Sequence, residues 1–217
     1  MALFFCYLIV LLGSTIAAVG RASVLSPSPL RLFIWFLPVT LLVELAGAAL
    51  RQAGQLNHWL YNLYLPVNFI FYSWLYYSLV QFPLMRRLIV WSTGVFISVY
   101  LINLSLVQGV YTFNSHSYLL CSFLIVVWVL AYFRQLLQSR EPFNLARLPA
   151  FWISTGVLFS NLGYFLYLGL LNYLLQVNPA WARDFMVVSL LLLILNYSLF
   201  IVAFLCQGTQ TQPSPRR

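Results

Sequence analysis

Apolar residues in this chain come in long blocks. Seven of them, at about 2–20, 32–50, 59–80, 88–107, 117–133, 149–173 and 185–206, are separated by arginines, prolines and short polar clusters. A helix rises about 1.5 Å per residue, so roughly 20 apolar residues cross the hydrocarbon of a bilayer, and every block approaches that length. The pattern predicts an all-α fold, a polytopic membrane bundle of seven transmembrane helices. The fifth helix is expected to be the shortest and the sixth the longest. Connections are short, so residues 1–206 read as a single transmembrane domain. The remaining stretch, QGTQTQPSPRR (207–217), is polar and lacks bulky apolar residues, as a disordered tail would.

Polar residues inside the blocks are few, and they carry the functional question. Glu44 stands alone in LLVELAGAAL (41–50), in a chain with three acidic residues. A carboxylate at that depth costs on the order of 2–3 kcal/mol to insert. It is therefore expected to face the bundle interior beside polar groups of neighbouring helices. Candidates are Asn62 and Asn68 on the third block, Asn103 on the fourth, Ser160 and Asn161 on the sixth and Asn196 on the seventh. Tyr61, Tyr64 and Tyr72 accompany them on the third block, and Tyr164 and Tyr167 on the sixth. One reading is a polar ligand pocket built from Glu44, Asn62, Asn68, Asn103, Ser160, Asn161, Tyr164 and Asn196. The plainer one is that asparagine and serine hydrogen-bond helices together, with Glu44 as a strut. Ala46, Gly47, Ala48 and Ala49 follow Glu44 and allow close helix packing or leave room for a ligand. LPV occurs at 37–39 and 65–67. Each proline frees a carbonyl one turn earlier, and Pro66 frees that of Asn62.

Composition supports a lipid environment. The 217 residues are 63% hydrophobic and 6% charged, with mean hydropathy +0.91. Soluble domains carry about 25% charged residues. The bilayer is thus the expected partner. The net charge of +8 comes from arginines spread singly or in pairs between apolar blocks, not in a stripe, so no nucleic-acid partner is expected. Cys6, Cys121 and Cys206 lie in apolar blocks without CxxC spacing and read as buried thiols.

Arginine position sets the expected orientation. Arg21, Arg31, Arg86, Arg87, Arg134, Arg140, Arg147, Arg216 and Arg217 fall on one side, against Arg51 and Arg183 on the other. The positive-inside rule makes the first side cytoplasmic, with the N-terminus outside and the C-terminus inside. The first block has small residues at its end, as a cleaved signal would. Cleavage would put the arginine-rich side outside, so the block is expected to remain a membrane helix. Trp35, Trp91 and Trp152 near inner ends, and Trp59 and Trp181 near outer ends, suit the two interfaces.

Several chemistries are missing. The chain has no lysine, which excludes a retinal Schiff base. It has no GxSxG, HExxH or paired intramembrane carboxylates, so no enzyme is expected, and an intramembrane enzyme is the least favoured alternative. His58, His116 and Asp184 map to outer ends on three different connections, without ligand spacing, so neither a metal nor a cofactor is expected. Ser154, Thr155 and Gly156 lie far in depth from either histidine, which argues against an intramembrane serine protease.

NHWLYNLYLPVNF (57–69) and PAFWISTGVLFSNLGYF (149–165) resemble segments of seven-helix integral membrane proteins of bacteria, a group with no established activity. The resemblance implies a multi-pass protein of the bacterial cell membrane and transfers no functional residues. Two function classes lead. One is a sensory or signalling module that binds a small ligand from outside and works through a separate cytoplasmic partner. The other is a small-molecule transporter. FLPVTLLVELAG (36–47) and FWISTGVLFSNLG (151–163) share a loose pattern that suits a repeat of three helices, one linker and three helices. Ligand identity and oligomeric state are not legible.

Overall fold

Backbone N–H and C=O groups find no water in hydrocarbon, and a helix pairs them within its own segment. The computed structural model, which describes residues 2–25, 28–138 and 144–206, is all-helical among those residues. Its helices are α1 (Ala2–Gly20), the short α2 (Ala22–Leu25), α3 (Phe33–Gln52), α4 (His58–Leu79), α5 (Pro83–Ile102), α6 (Ser115–Leu137), α7 (Pro149–Val177) and α8 (Pro179–Leu205). A wider π turn, Asn103–Val107, extends α5. The stretch 207–217, expected to be a disordered tail, lies outside the described residues.

Helix ends run past the apolar blocks. Pro83, Pro149 and Pro179 open α5, α7 and α8 at the first turn, where a missing N–H costs nothing. Arg86 and Arg87 therefore sit inside α5, not in its connection, and Arg183 and Asp184 sit inside α8. The fifth block is not the shortest helix: α6 continues through Arg134 and Gln135 to 23 residues, and α1, with 19, is shorter. The sixth block is the longest, as α7 has 29 residues.

Six helices are long and apolar enough to cross a membrane: Ala2–Gly20, Pro29–Gln52, Pro83–Val107, Ser115–Leu137, Pro149–Leu171 and Ala180–Leu205. The exception among the seven long helices is α4. Its lower apolarity comes from asparagine, tyrosine and serine, and much of that polar content is buried: Asn62, Tyr72, Ser73 and Tyr76 all face the interior. Helix α4 packs against α3, α5 and α6, so its polar side chains meet neighbouring helices.

Contacting pairs fix the topology. Phe36 stacks on Phe71 and Thr40 meets Tyr64, so α3 and α4 run antiparallel. Phe69 on Phe96 and Ser73 on Thr93 do the same for α4 and α5. Tyr118 meets Tyr164 and Phe133 meets Phe151 along α6 and α7. By contrast Tyr61–Tyr118 and Tyr76–Tyr132 align α4 parallel to α6. Helix α1 packs between α3 and α8, with Tyr7 against Tyr197. The result is a closed ring, α1–α3–α4–α6–α7–α8, with α5 outside it against α4 and α6.

Candidate functional site

The ring encloses a cavity of about 160 Å³, to which all six of its helices contribute and α5 does not. On α3 the residues Phe33, Phe36, Leu37, Thr40 and Gly47 are buried, a spacing of three, four and seven that defines one face. Glu44 belongs to that face, half-buried, and lines the cavity with Thr40. Tyr61 of α4 donates its hydroxyl to Glu44 Oε2 at 3.2 Å. Gly47 makes this contact sterically feasible, because a Cβ there would lie 2.6 Å from the Tyr61 hydroxyl. Among the four small residues after Glu44, this one makes room for a neighbouring side chain. Asn57 Nδ2 donates to the Gly47 carbonyl at 3.0 Å and ties the same turn to the start of α4. Arg51 does not reach the carboxylate but lies over the Phe4 ring, 5.8 Å from its centroid.

The other walls follow the same helical arithmetic. Helix α4 contributes Tyr61, Tyr64, Asn68 and Tyr72, three or four residues apart. Tyr64 shares a 2.5 Å hydrogen bond with Thr40. Helix α6 supplies Tyr118, Cys121 and Ser122, and the Tyr118 hydroxyl donates to the Tyr61 carbonyl at 2.9 Å. Helix α7 supplies Ser160, Asn161 and Tyr164. Ser160 and Asn161 both donate back to the Val157 carbonyl, at 3.2 and 2.9 Å. Helix α8 supplies Leu193, Asn196 and Tyr197, and α1 supplies Tyr7. Asn196 is buried, and its Oδ1 has no hydrogen-bond partner among the described residues. It lies against Gly156, where a Cβ would come within 2.8 Å of it.

Two sequence candidates sit elsewhere. Asn62 and Asn103 do not line the cavity; they pin the 108–114 connection. Asn62 Nδ2 donates to the carbonyls of Val110 at 2.8 Å and Thr112 at 2.7 Å, and its Oδ1 accepts from Asn114 N at 3.1 Å. The carbonyl of Asn62, freed by Pro66, accepts the Tyr100 hydroxyl at 3.0 Å. Asn103 Nδ2 donates to Gln108 Oε1 at 2.8 Å and also reaches Asn114 and Ser117. An irregular connection tucked against the bundle needs such donors, because its carbonyls have no helical partners.

Sequence reasoning missed Tyr7, Thr40, Leu65, Tyr118, Cys121, Ser122, Leu193 and Tyr197. The signal was phase: Tyr197 is next to Asn196, and Tyr118, Cys121 and Ser122 share one helix face.

One end of the cavity is closed. Past Thr40, Tyr72 and Tyr197 lie the stacked rings of Phe36 and Phe71, 3.7 Å apart, with Phe33 5.2 Å from Phe200. These phenylalanines fill the ring toward the end that holds the α4–α5 connection. The half-buried Glu44, Tyr61, Asn68, Asn161 and Tyr164 lie toward the opposite end, where the α3–α4 and α7–α8 connections are. Among the described side chains lining the cavity, Glu44 is the only carboxylate, and none is an imidazole. His58 packs against Phe113 at 6.0 Å, outside it. The arrangement can hold and orient a small polar molecule; it presents no acid–base pair.

Comparison of the chain with protein families, with curated proteins and with solved structures finds no match.

Proposed function

We propose that this is a seven-span membrane protein of the bacterial cell membrane that binds a small ligand from outside and passes the binding event to a separate cytoplasmic partner. The N-terminus is then outside and the C-terminus inside. The observation that carries this reading is the carboxylate-bearing cavity, polar in an apolar ring, with Glu44 toward the arginine-poor end and phenylalanines filling the other. A cup of polar side chains backed by a phenylalanine floor suits a receptor.

The ring itself supports a second reading. Three helices (α1, α3, α4) and three helices (α6, α7, α8) enclose the cavity, with α5 as an outlying linker. A transporter built on a parallel repeat would have this plan. It would have to move the phenylalanine layer to open the second mouth.

The test uses a cysteine-free chain carrying Asn161→Cys, in right-side-out vesicles. A membrane-impermeant cationic thiol reagent added outside is expected to label it. Labelling only from the inner face would overturn the outward mouth. Uptake of a small-molecule panel into proteoliposomes separates the two readings: the sensory module binds without accumulating, and the transporter accumulates.

A further inference from the structure

The chemistry of the cavity walls specifies a ligand class, if the cavity is a ligand site as proposed above. Glu44 is the only charged side chain among the described residues lining it. The nearest arginine on the same helix, Arg51, lies over Phe4, and the carboxylate receives the Tyr61 hydroxyl at 3.2 Å with the Tyr7 hydroxyl beside it. A carboxylate inside a membrane bundle pairs with a cation or with several donors. Among the described residues no cationic side chain lines the space beside it, and tyrosine walls it.

The tyrosines come from five helices. Tyr7 and Tyr197 tilt at 52° with centroids 5.8 Å apart, and Tyr118 and Tyr164 tilt at 54°, 5.9 Å apart. Helix α4 adds three more rings. Rings tilted against each other present faces and edges in several directions, as an aromatic cage does. Aromatic faces carry negative potential and attract alkylammonium groups, most strongly where water is scarce. Nothing in the lining favours an anion: it holds no arginine, lysine or histidine. A hard metal ion would want about six oxygens in a shell, and one carboxylate among phenols does not supply it.

Size narrows the class. A cavity of about 150 Å³ holds benzene. The 160 Å³ here therefore takes a ligand of similar bulk, such as a trimethylammonium head with a short arm.

We propose that the cavity binds a small organic monocation, an alkylammonium up to the size of choline, with Glu44 as its counter-ion and the tyrosine faces as its cage.

The experiment measures binding to the purified full chain in nanodiscs by isothermal titration, with tetramethylammonium, choline and ethanolamine as cations. 3,3-Dimethylbutan-1-ol is the neutral isostere of choline, and acetate is the anion. At least one cation is expected to bind, and the neutral isostere should bind about tenfold more weakly or not at all. Glu44→Gln should lose a similar factor. Circular dichroism and thermal unfolding of the unliganded variant show whether it has folded. Tyr164 keeps the test decisive if Glu44→Gln fails to fold: Tyr164→Leu should weaken the cation about fivefold or more, while Tyr164→Phe, which keeps the ring face, retains affinity.

Equal binding of choline and its neutral isostere, or binding of acetate alone, would overturn the cation class and leave the ligand cavity standing. The same holds if a folded Glu44→Gln keeps full affinity. If no compound of any charge binds to the folded chain, both the class and the cavity's role as a ligand site are overturned.

Discussion

Glu44, Tyr61 and Gly47 form one small device, and its parts depend on each other. The Tyr61 hydroxyl reaches the carboxylate only because residue 47 has no Cβ. Gly47→Ala is expected to push the Tyr61 ring aside, with an overpacking cost of about 1–3 kcal/mol. Tyr61→Phe removes the donor and should cost about 1.5–3 kcal/mol, the usual range for a hydrogen bond to a charged group. Because both changes break one contact, the double variant should be less destabilised than the two losses taken together. Unfolding of the three variants in mixed detergent micelles measures this, and strict additivity would show that Gly47 and Tyr61 act separately. Part of the site could be read from the sequence at this scale. A single acid in an apolar run stands out on cost alone, and Asn68, Ser160, Asn161, Tyr164 and Asn196 share its depth. Depth does not give facing, which is why Asn62 and Asn103 were grouped with them and Tyr7 and Tyr197 were not. Tyrosine is also ambiguous in a membrane chain, since it serves interfaces, cores and cavities alike.

Among the elements, α4 and the connection after α5 show how an irregular segment is held against a bundle. Asn62 bonds the carbonyls of Val110 and Thr112 and the N–H of Asn114, so one side chain satisfies three backbone groups. Asn62→Leu would leave those groups seeking water. Each orphaned group costs about 1–3 kcal/mol if it stays buried, so the segment is expected to lift away instead. Amide exchange should then quicken within 108–114 and stay slow in the body of α6. Unchanged exchange in that segment would show that the pin does not hold it. A related clip closes the other end of α4, where buried Gln135 accepts from Gln81 N at 2.7 Å and donates to the Leu79 carbonyl at 3.2 Å. The helices were largely legible, since continuous apolar blocks leave few alternatives in lipid. Their ends were not, because arginine, glutamine and an opening proline all continue a helix into the interface. Hence α5 begins five residues before its block and α6 ends four residues after its own.

At the scale of the whole molecule, a ring of six helices with the α5 side brace accounts for the cavity and for the phenylalanine layer that fills one end of it. No local pattern in the sequence announces a ring, because ring closure depends on α1 meeting α8, the two ends of the domain. Which way the mouth faces is decided by charge. Connections at the phenylalanine-filled end carry Arg21, Arg31 and Arg147 and lie beside Arg86, Arg87 and Arg134, while the mouth end has Arg51 and Arg183. Arginine is retained on the cytoplasmic side during insertion, so the mouth is expected to face outward. Reporters at two positions test this independently. A fluorescent protein that matures only in the cytoplasm, fused after Arg217, should be bright, and a short epitope inserted at Gly109 should bind antibody on intact cells whose outer envelope has been opened. Gly109 is a fitting insertion site, since its φ of 76° marks a turn. A dark C-terminal fusion together with a hidden epitope would invert the bundle. The carboxylate cavity would then open to the cytoplasm, and a ligand from outside would have no path to Glu44.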